Sequence, residues 1–116
     1  MEGSIIRPGD VVTVKFPYID EEEAYKNRPA LVIATPHPMI SILCEITTNL
    51  MDRPHTVSLS SEDFVEGGLR KRSVIRADVI TTFHHKRLKE RVGHVDESKL
   101  AEVLTAISAI LYSEVH

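Results

Sequence analysis

Arg28 stands immediately before Pro29, and Thr47 stands two residues after Glu45 near the end of an alternating apolar run. These residue types could do phosphate chemistry. A guanidinium is a planar fork that matches phosphate oxygens, and a threonine hydroxyl supplies a further donor. Brought side by side, Arg28 and Thr47 would make an anion cradle. The plainer alternative is a surface ladder in which Arg28 pairs with Glu45, worth about 0–1 kcal/mol. Other chemistry finds little support. There is no P-loop, no dinucleotide glycine pattern, no HExxH and no CxxC. His84 and His85 are adjacent, so on a strand they would point to opposite faces and could not chelate one metal. No metal site or cofactor is expected. Cys44 is the one cysteine, which excludes an internal disulfide, and its apolar setting reads as a buried, inert thiol.

The elements that must position these residues can be read along the chain. Proline disfavours the helical region for the residue before it, so Arg28 is extended. Pro29 suits the start of a strand, and Ala30 to Ala34 continues it, giving a strand over 29–35. The segment 39–48 alternates. Ile40, Ile42, Cys44 and Ile46 share one face, and Ser41, Leu43, Glu45 and Thr47 share the other. Before these lies "RPGD", a turn, and a strand carrying Val12, Val14 and Phe16. The polar residues 18–27 form a loop, and "PHP" at 36–38 turns the chain. After 49–54, a polar turn, Val57 and Leu59 face inward. Residues 60–68 read as a short helical turn with capping-box spacing at Ser60 and Asp63, stopped by Gly67 and Gly68. Strands follow at 73–76, 78–83 and 88–95. Asp96 caps a last helix, in which Leu100, Val103, Leu104, Ile107, Ile110 and Leu111 follow helical spacing. The expected fold is mainly β (α+β): six or seven short strands in a small barrel or curled sheet, with one C-terminal helix over its open face.

The 116 residues suit one domain spanning 1–116. The content, 42% hydrophobic and 27% charged, is that of a globular chain. Five per cent aromatics and no Trp argue against a platform that stacks several bases. No stretch reaches the roughly 18 apolar residues of a membrane span, and the first ten residues lack a signal-peptide apolar region. A cytoplasmic protein with no membrane contact is expected. The net charge is −3, yet Arg70 to Arg91 holds eight basic residues against two acidic ones, and Asp20 to Glu23 is wholly acidic. That basic window could be a local phosphate-binding face or only a solvated surface.

"RPGDVVTVKFP", "NRPALVIAT", "CEITTN" and "SVIRADVITTFHHKRLKERVGHVDESKLAEVLTAISAIL" follow one another in this order. Together they resemble the MazF/PemK family of toxin endoribonucleases over nearly the whole chain. The resemblance implies an SH3-like barrel of the plug-barrel toxin type with a C-terminal helix, assembled as a homodimer. It implies metal-independent cleavage of single-stranded RNA by its own 2′-OH, and control by a cognate antitoxin in a type II toxin–antitoxin pair. It carries Arg28 and Thr47 over as catalytic. RNA contacts are then expected from Lys26, Thr48 and Asn49, which flank them, and from Arg70, Arg72, Arg76, Lys86 and Arg87 of the basic window. Arginine is a poor base at neutral pH, so Arg28 is read as stabilising charge on the phosphoryl oxygens. Glu45 is a candidate base for the 2′-OH, with His84 or His85 as lesser ones. Glu45 stands where the family commonly has small residues, and Val79 where a polar residue such as Gln is expected. Barrels of this kind can also act without chemistry, by poisoning a protein target such as DNA gyrase or as inactive docking modules.

Overall fold

The computed structural model describes residues 5–15, 27–50 and 53–115. Phe16, Lys26 and the acidic segment 20–23, all singled out above, lie outside the described residues. The strands are β1 (Asp10–Lys15), β2 (Asn27–His37), β3 (Ile40–Thr47), β4 (Thr56–Leu59), β5 (Phe64–Gly67), β6 (Ser73–His84) and β7 (Leu88–Val95). Short 3-10 turns cover Ser61–Asp63 and His85–Arg87, and the helix α1 runs Glu97–Val115. The strands form one antiparallel sheet in the order β4-β6-β3-β2-β1-β7-β5. It curls into a half-barrel, and α1 packs against β6 and β4. The mainly β fold with a C-terminal helix is therefore as the sequence implied.

Three elements differ from expectation. Strand β2 runs through Pro36 and His37, so the turn falls at Pro38 and Met39 rather than at 36–38. The helical turn after Ser60 ends at Asp63, and 64–67 is a strand against β7. Ser60 and Asp63 do form the capping box, with Ser60 N–H donating to Asp63 Oδ2 at 2.9 Å. The predicted strands 73–76 and 78–83 are one long strand. Cys44 pairs with Ile80 but Ile46 pairs with Ile75, so β6 carries extra residues around Ala77. Such a bulge bends the strand and re-aims its side chains.

Curling gives the sheet two buried faces. Val11, Leu31, Cys44, Ile46, Ile75 and Val103 belong to one cluster, while Val12, Val14, Ala30, Val32, Leu43 and Phe83 belong to the other. Neighbours such as Leu31 and Val32 thus both have no exposed surface. Burying such side chains contributes about 1.5–3 kcal/mol each. This double burial anchors β2 and β3, the strands that carry Arg28 and Thr47. On α1, Val103 and Ile107 are buried, but Leu104 and Leu111 are exposed, contrary to the pattern reading. Asp96 caps the helix as expected, accepting from Lys99 N at 2.8 Å, and the pairing holds its carboxyl below the usual range.

Candidate functional site

The register of β2 on β3 decides whether the predicted cradle forms. Ala30 pairs with Glu45, Leu31 with Cys44 and Val32 with Leu43. Arg28 lies two residues before Ala30 and Thr47 two residues after Glu45, so both stand at the same end of the two adjacent strands. Side chains at opposed positions share a face, so both lie on the side of Glu45. Arg28 is half-buried and is held on its other edge by β1, where it pairs with Val14. Its Nε is buried. Thr47 is half-buried at the strand end, where its Oγ1 accepts from Asn49 N at 3.1 Å.

On the far side of β3 lies β6. Ile46 and Thr47 pair with Ile75 and Val74, which brings Arg76 next to Glu45. Arg76 Nη1 is 3.5 Å from Glu45 Oε2, and Arg76 Nε is 3.9 Å from Asp78 Oδ1. Arg76 pairs in register with Thr56 of β4. The turn before β4 is sharp: His55 has φ 65°, a conformation uncommon outside glycine, and its carbonyl accepts from Ala77 N at 2.9 Å. The result is a cleft of about 70 Å³ lined by Thr47, Asn49, Arg53, Thr56, Val74 and Arg76. A second cleft, of about 210 Å³, opens on the opposite face of the same strand ends. Pro29, Thr48, Leu69, Arg70, Lys71 and Ser73 line it.

Of the residues singled out in the sequence, Arg28, Glu45, Thr47, Thr48, Asn49, Arg70 and Arg76 come together at this end of the sheet. Arg72 is exposed just before β6. Lys86 and Arg87 do not join them. They follow His84, which pairs with Ile40 at the other end of β3, and Arg87 lies 5.9 Å over the Phe83 ring. The histidines are at that end too. His85 is buried, 2.6 Å from Ser41 Oγ, and His84 Nδ1 accepts from Lys86 N. Neither can serve Thr47. Glu45 is only 4% exposed and does not line the cleft. Burial beneath Arg76 is the physical reason to withdraw it as a base, since a base must reach the proton it takes. Arg53 and Thr56 were not singled out from the sequence. Cys44 is buried as read, and burial pushes its thiol up to about 12. Among the described residues no group of three or more His, Cys, Asp or Glu is gathered as a metal-ligand set. No helix among them is long and apolar enough to cross a membrane.

A curled antiparallel half-barrel with a C-terminal helix and an arginine-rich cleft at one strand end defines the class. The family model described as PemK-like, MazF-like toxin of type II toxin–antitoxin system matches residues 7–111. The chain belongs to that family. No curated protein sequence matches it. Its fold is similar to three solved structures. One is an endoribonuclease in complex with its cognate antitoxin from a mycobacterial species (20% identity, 91% of this chain and 94% of that one, TM-score 0.70). The second is the Mycobacterium tuberculosis toxin MazF-mt6 (23%, 89% and 94%, TM-score 0.65). The third is MazF from Deinococcus radiodurans (23%, 93% and 97%, TM-score 0.70).

Proposed function

We propose that this toxin is a metal-independent endoribonuclease that cleaves single-stranded RNA at the Arg28–Thr47 pair. The observation that supports the reading is the β2–β3 register, which brings a half-buried arginine and a strand-end threonine to the same end of adjacent strands. In the reaction the 2′-oxygen attacks the adjacent phosphorus and the bond from phosphorus to the 5′-oxygen breaks. The products are a 2′,3′-cyclic phosphate and a 5′-OH. The 2′-OH gives up a proton and the leaving 5′-oxygen gains one. Negative charge builds on the phosphoryl oxygens on the way. Arg28 is the donor aimed at one of them, with Pro29 stiffening its backbone, and Thr47 holds a second. Preorganised donors of this kind are each worth about 10²–10³ in rate. Thr48, Asn49, Arg70, Arg72 and Arg76 would hold flanking nucleotides. Lys86 and Arg87, at the far end of β3, would meet only a longer RNA.

The antitoxin reading has its own support. The 210 Å³ cleft joins apolar walls, Pro29 and Leu69, to a basic rim, Arg70 and Lys71. That pairing suits an acidic, amphipathic tail. A homodimer and a cytoplasmic setting follow from the same family reading. Incubating the purified protein with a long RNA in EDTA and mapping the ends tests the proposal. Discrete 5′-OH ends and cyclic phosphates are expected. Intact RNA would sink it and favour a barrel that binds and poisons a protein target.

A further inference from the structure

The cleft beside Thr47 holds more cation than one scissile phosphate requires. Thr47 lines it and Arg28 does not, whereas Arg76 and Arg53 do. Arg28 and Arg76 stand on the two strands that flank β3, offset along it by about two residues, which sets their backbones roughly 11–12 Å apart. A water needs about 10–15 Å³ of such a cleft, so about 70 Å³ leaves room for a phosphate group.

Arg76 is held in place by charge more than by hydrogen bonds. Its Nη1 lies 3.5 Å from Glu45 Oε2, beyond an ordinary hydrogen bond, and its Nε is buried with no hydrogen-bond partner among the described residues. Glu45 and Asp78 approach it from β3 and from the β6 bulge. A guanidinium has five donors in a fixed fork, so much of Arg76's capacity is left for an incoming acceptor. Arg53 reaches the cleft from the His55 turn, a separate segment of chain.

We infer that this cleft is a second phosphate subsite. Arg76 and Arg53 hold the phosphate next to the scissile one, Thr47 stands between the two, and Glu45 is the positioning residue that fixes Arg76. The inference rests on the reading of Arg28 and Thr47 as the scissile-phosphate site. Because the subsite reads backbone charge, it acts on any sequence.

The test separates binding from cleavage. A mixed-sequence 2′-O-methyl RNA 12-mer lacks the attacking hydroxyl and cannot be cut. Its affinity is measured by fluorescence anisotropy from low to moderate salt. Arg76→Ala and Arg53→Ala are each expected to weaken it about tenfold at low salt. Each should also flatten the plot of log affinity against log salt by about 0.7, one phosphate's share for a single strand. Arg76→Lys keeps the charge and should keep the slope while losing part of the affinity, which guards against a variant that simply unfolds. Glu45→Gln is expected to raise KM for a cleavable RNA with kcat little changed, and to add nothing to Arg76→Ala. An unchanged salt slope in Arg76→Ala overturns the subsite. A kcat loss in Glu45→Gln with KM unchanged overturns the positioning role. If the wild type binds the 12-mer but leaves unmodified RNA intact, the nuclease reading fails instead.

Discussion

Arg91 on β7 and Arg76 on β6 both meet carboxylates, and they are held in opposite ways. Arg91 Nε donates to Asp10 Oδ1 at 2.9 Å, and its Nη2 donates to Glu66 Oε2 at 2.9 Å. His94 Nδ1 is 2.8 Å from the same Asp10 oxygen, and Arg7 N donates to the other at 2.9 Å. Asp10 has no exposed surface. Gly9, with φ 99°, lets the chain turn there, and any β-carbon would strike the His94 ring. Arg76 instead meets Glu45 at 3.5 Å and Asp78 at 3.9 Å, beside a cleft. The closed network, in which carboxylates sit at hydrogen-bond distance from two Arg91 donors, ties β1 to β7. An open one keeps donors in reserve. Charge alone does not separate the two; the hydrogen-bond distances do.

Breaking the closed network should give the largest effect on folding. Asp10→Ala removes the acceptor on which Arg7, Arg91 and His94 converge. A loss of about 3–5 kcal/mol in urea unfolding is expected, as for other broken buried pairs. A loss below about 1 kcal/mol would put Asp10 on a par with a surface pair. The buried Ser41–His85 pair, at the far end of β3 from Thr47, is a smaller version of the same device. Ser41→Ala leaves the ring nitrogen without its partner and should cost about 1–3 kcal/mol.

The closed regions also predict a response to acid. Burial, aided by the His84 charge, lowers the His85 pKa below the ordinary 6.5. The unfolded chain then binds the proton more readily. This stability is full above about pH 6.5 and is lost as pH falls through the lower folded value. Glu66 is held below its ordinary 4.5, first by its hydrogen bond from Arg91 and then by the Arg91 charge. Its contribution is present above pH 4.5 and is lost as pH falls through its depressed value. Melting temperature should therefore drop in two acid stages, and Glu66→Gln should blunt only the lower one. A melting temperature flat from pH 7 to 4 would contradict this. The smallest effect is at Cys44. With its thiol pushed up to about 12, alkylation by iodoacetamide at pH 8 should be negligible in the folded protein and rapid in urea. Fast labelling without urea would show that this core opens.

What the sequence disclosed depended on range. Alternation in β3 was legible because it is local. That both of its faces are buried was not, because this follows from the curl of the whole sheet. β6 looked like two strands, 73–76 and 78–83, with the break at Ala77, where the bulge shifts the register. β5 was hidden because Ser60 and Asp63 have helix-capping spacing and two glycines follow. At the site, Arg28 and Thr47 carry local marks, the proline and the strand end. Glu45 next to Arg76 rests on the order β6-β3-β2, which no local pattern encodes. Arg53 and Thr56 join through the His55 turn, and nothing near them in the chain points to it.

One proposal stands at the centre: Arg28 and Thr47 grip one phosphate. Cleavage of a long RNA in EDTA by wild type, Arg28→Ala, Thr47→Ala and the double variant tests it most directly. Each single variant should fold with a stability change of at most about 1 kcal/mol. Each should lose about 10²–10³ in rate, and the double should lose far less than the product of the two. Near-wild-type cleavage by Arg28→Ala would contradict the account and leave the arginine as a charge at the mouth of a strand.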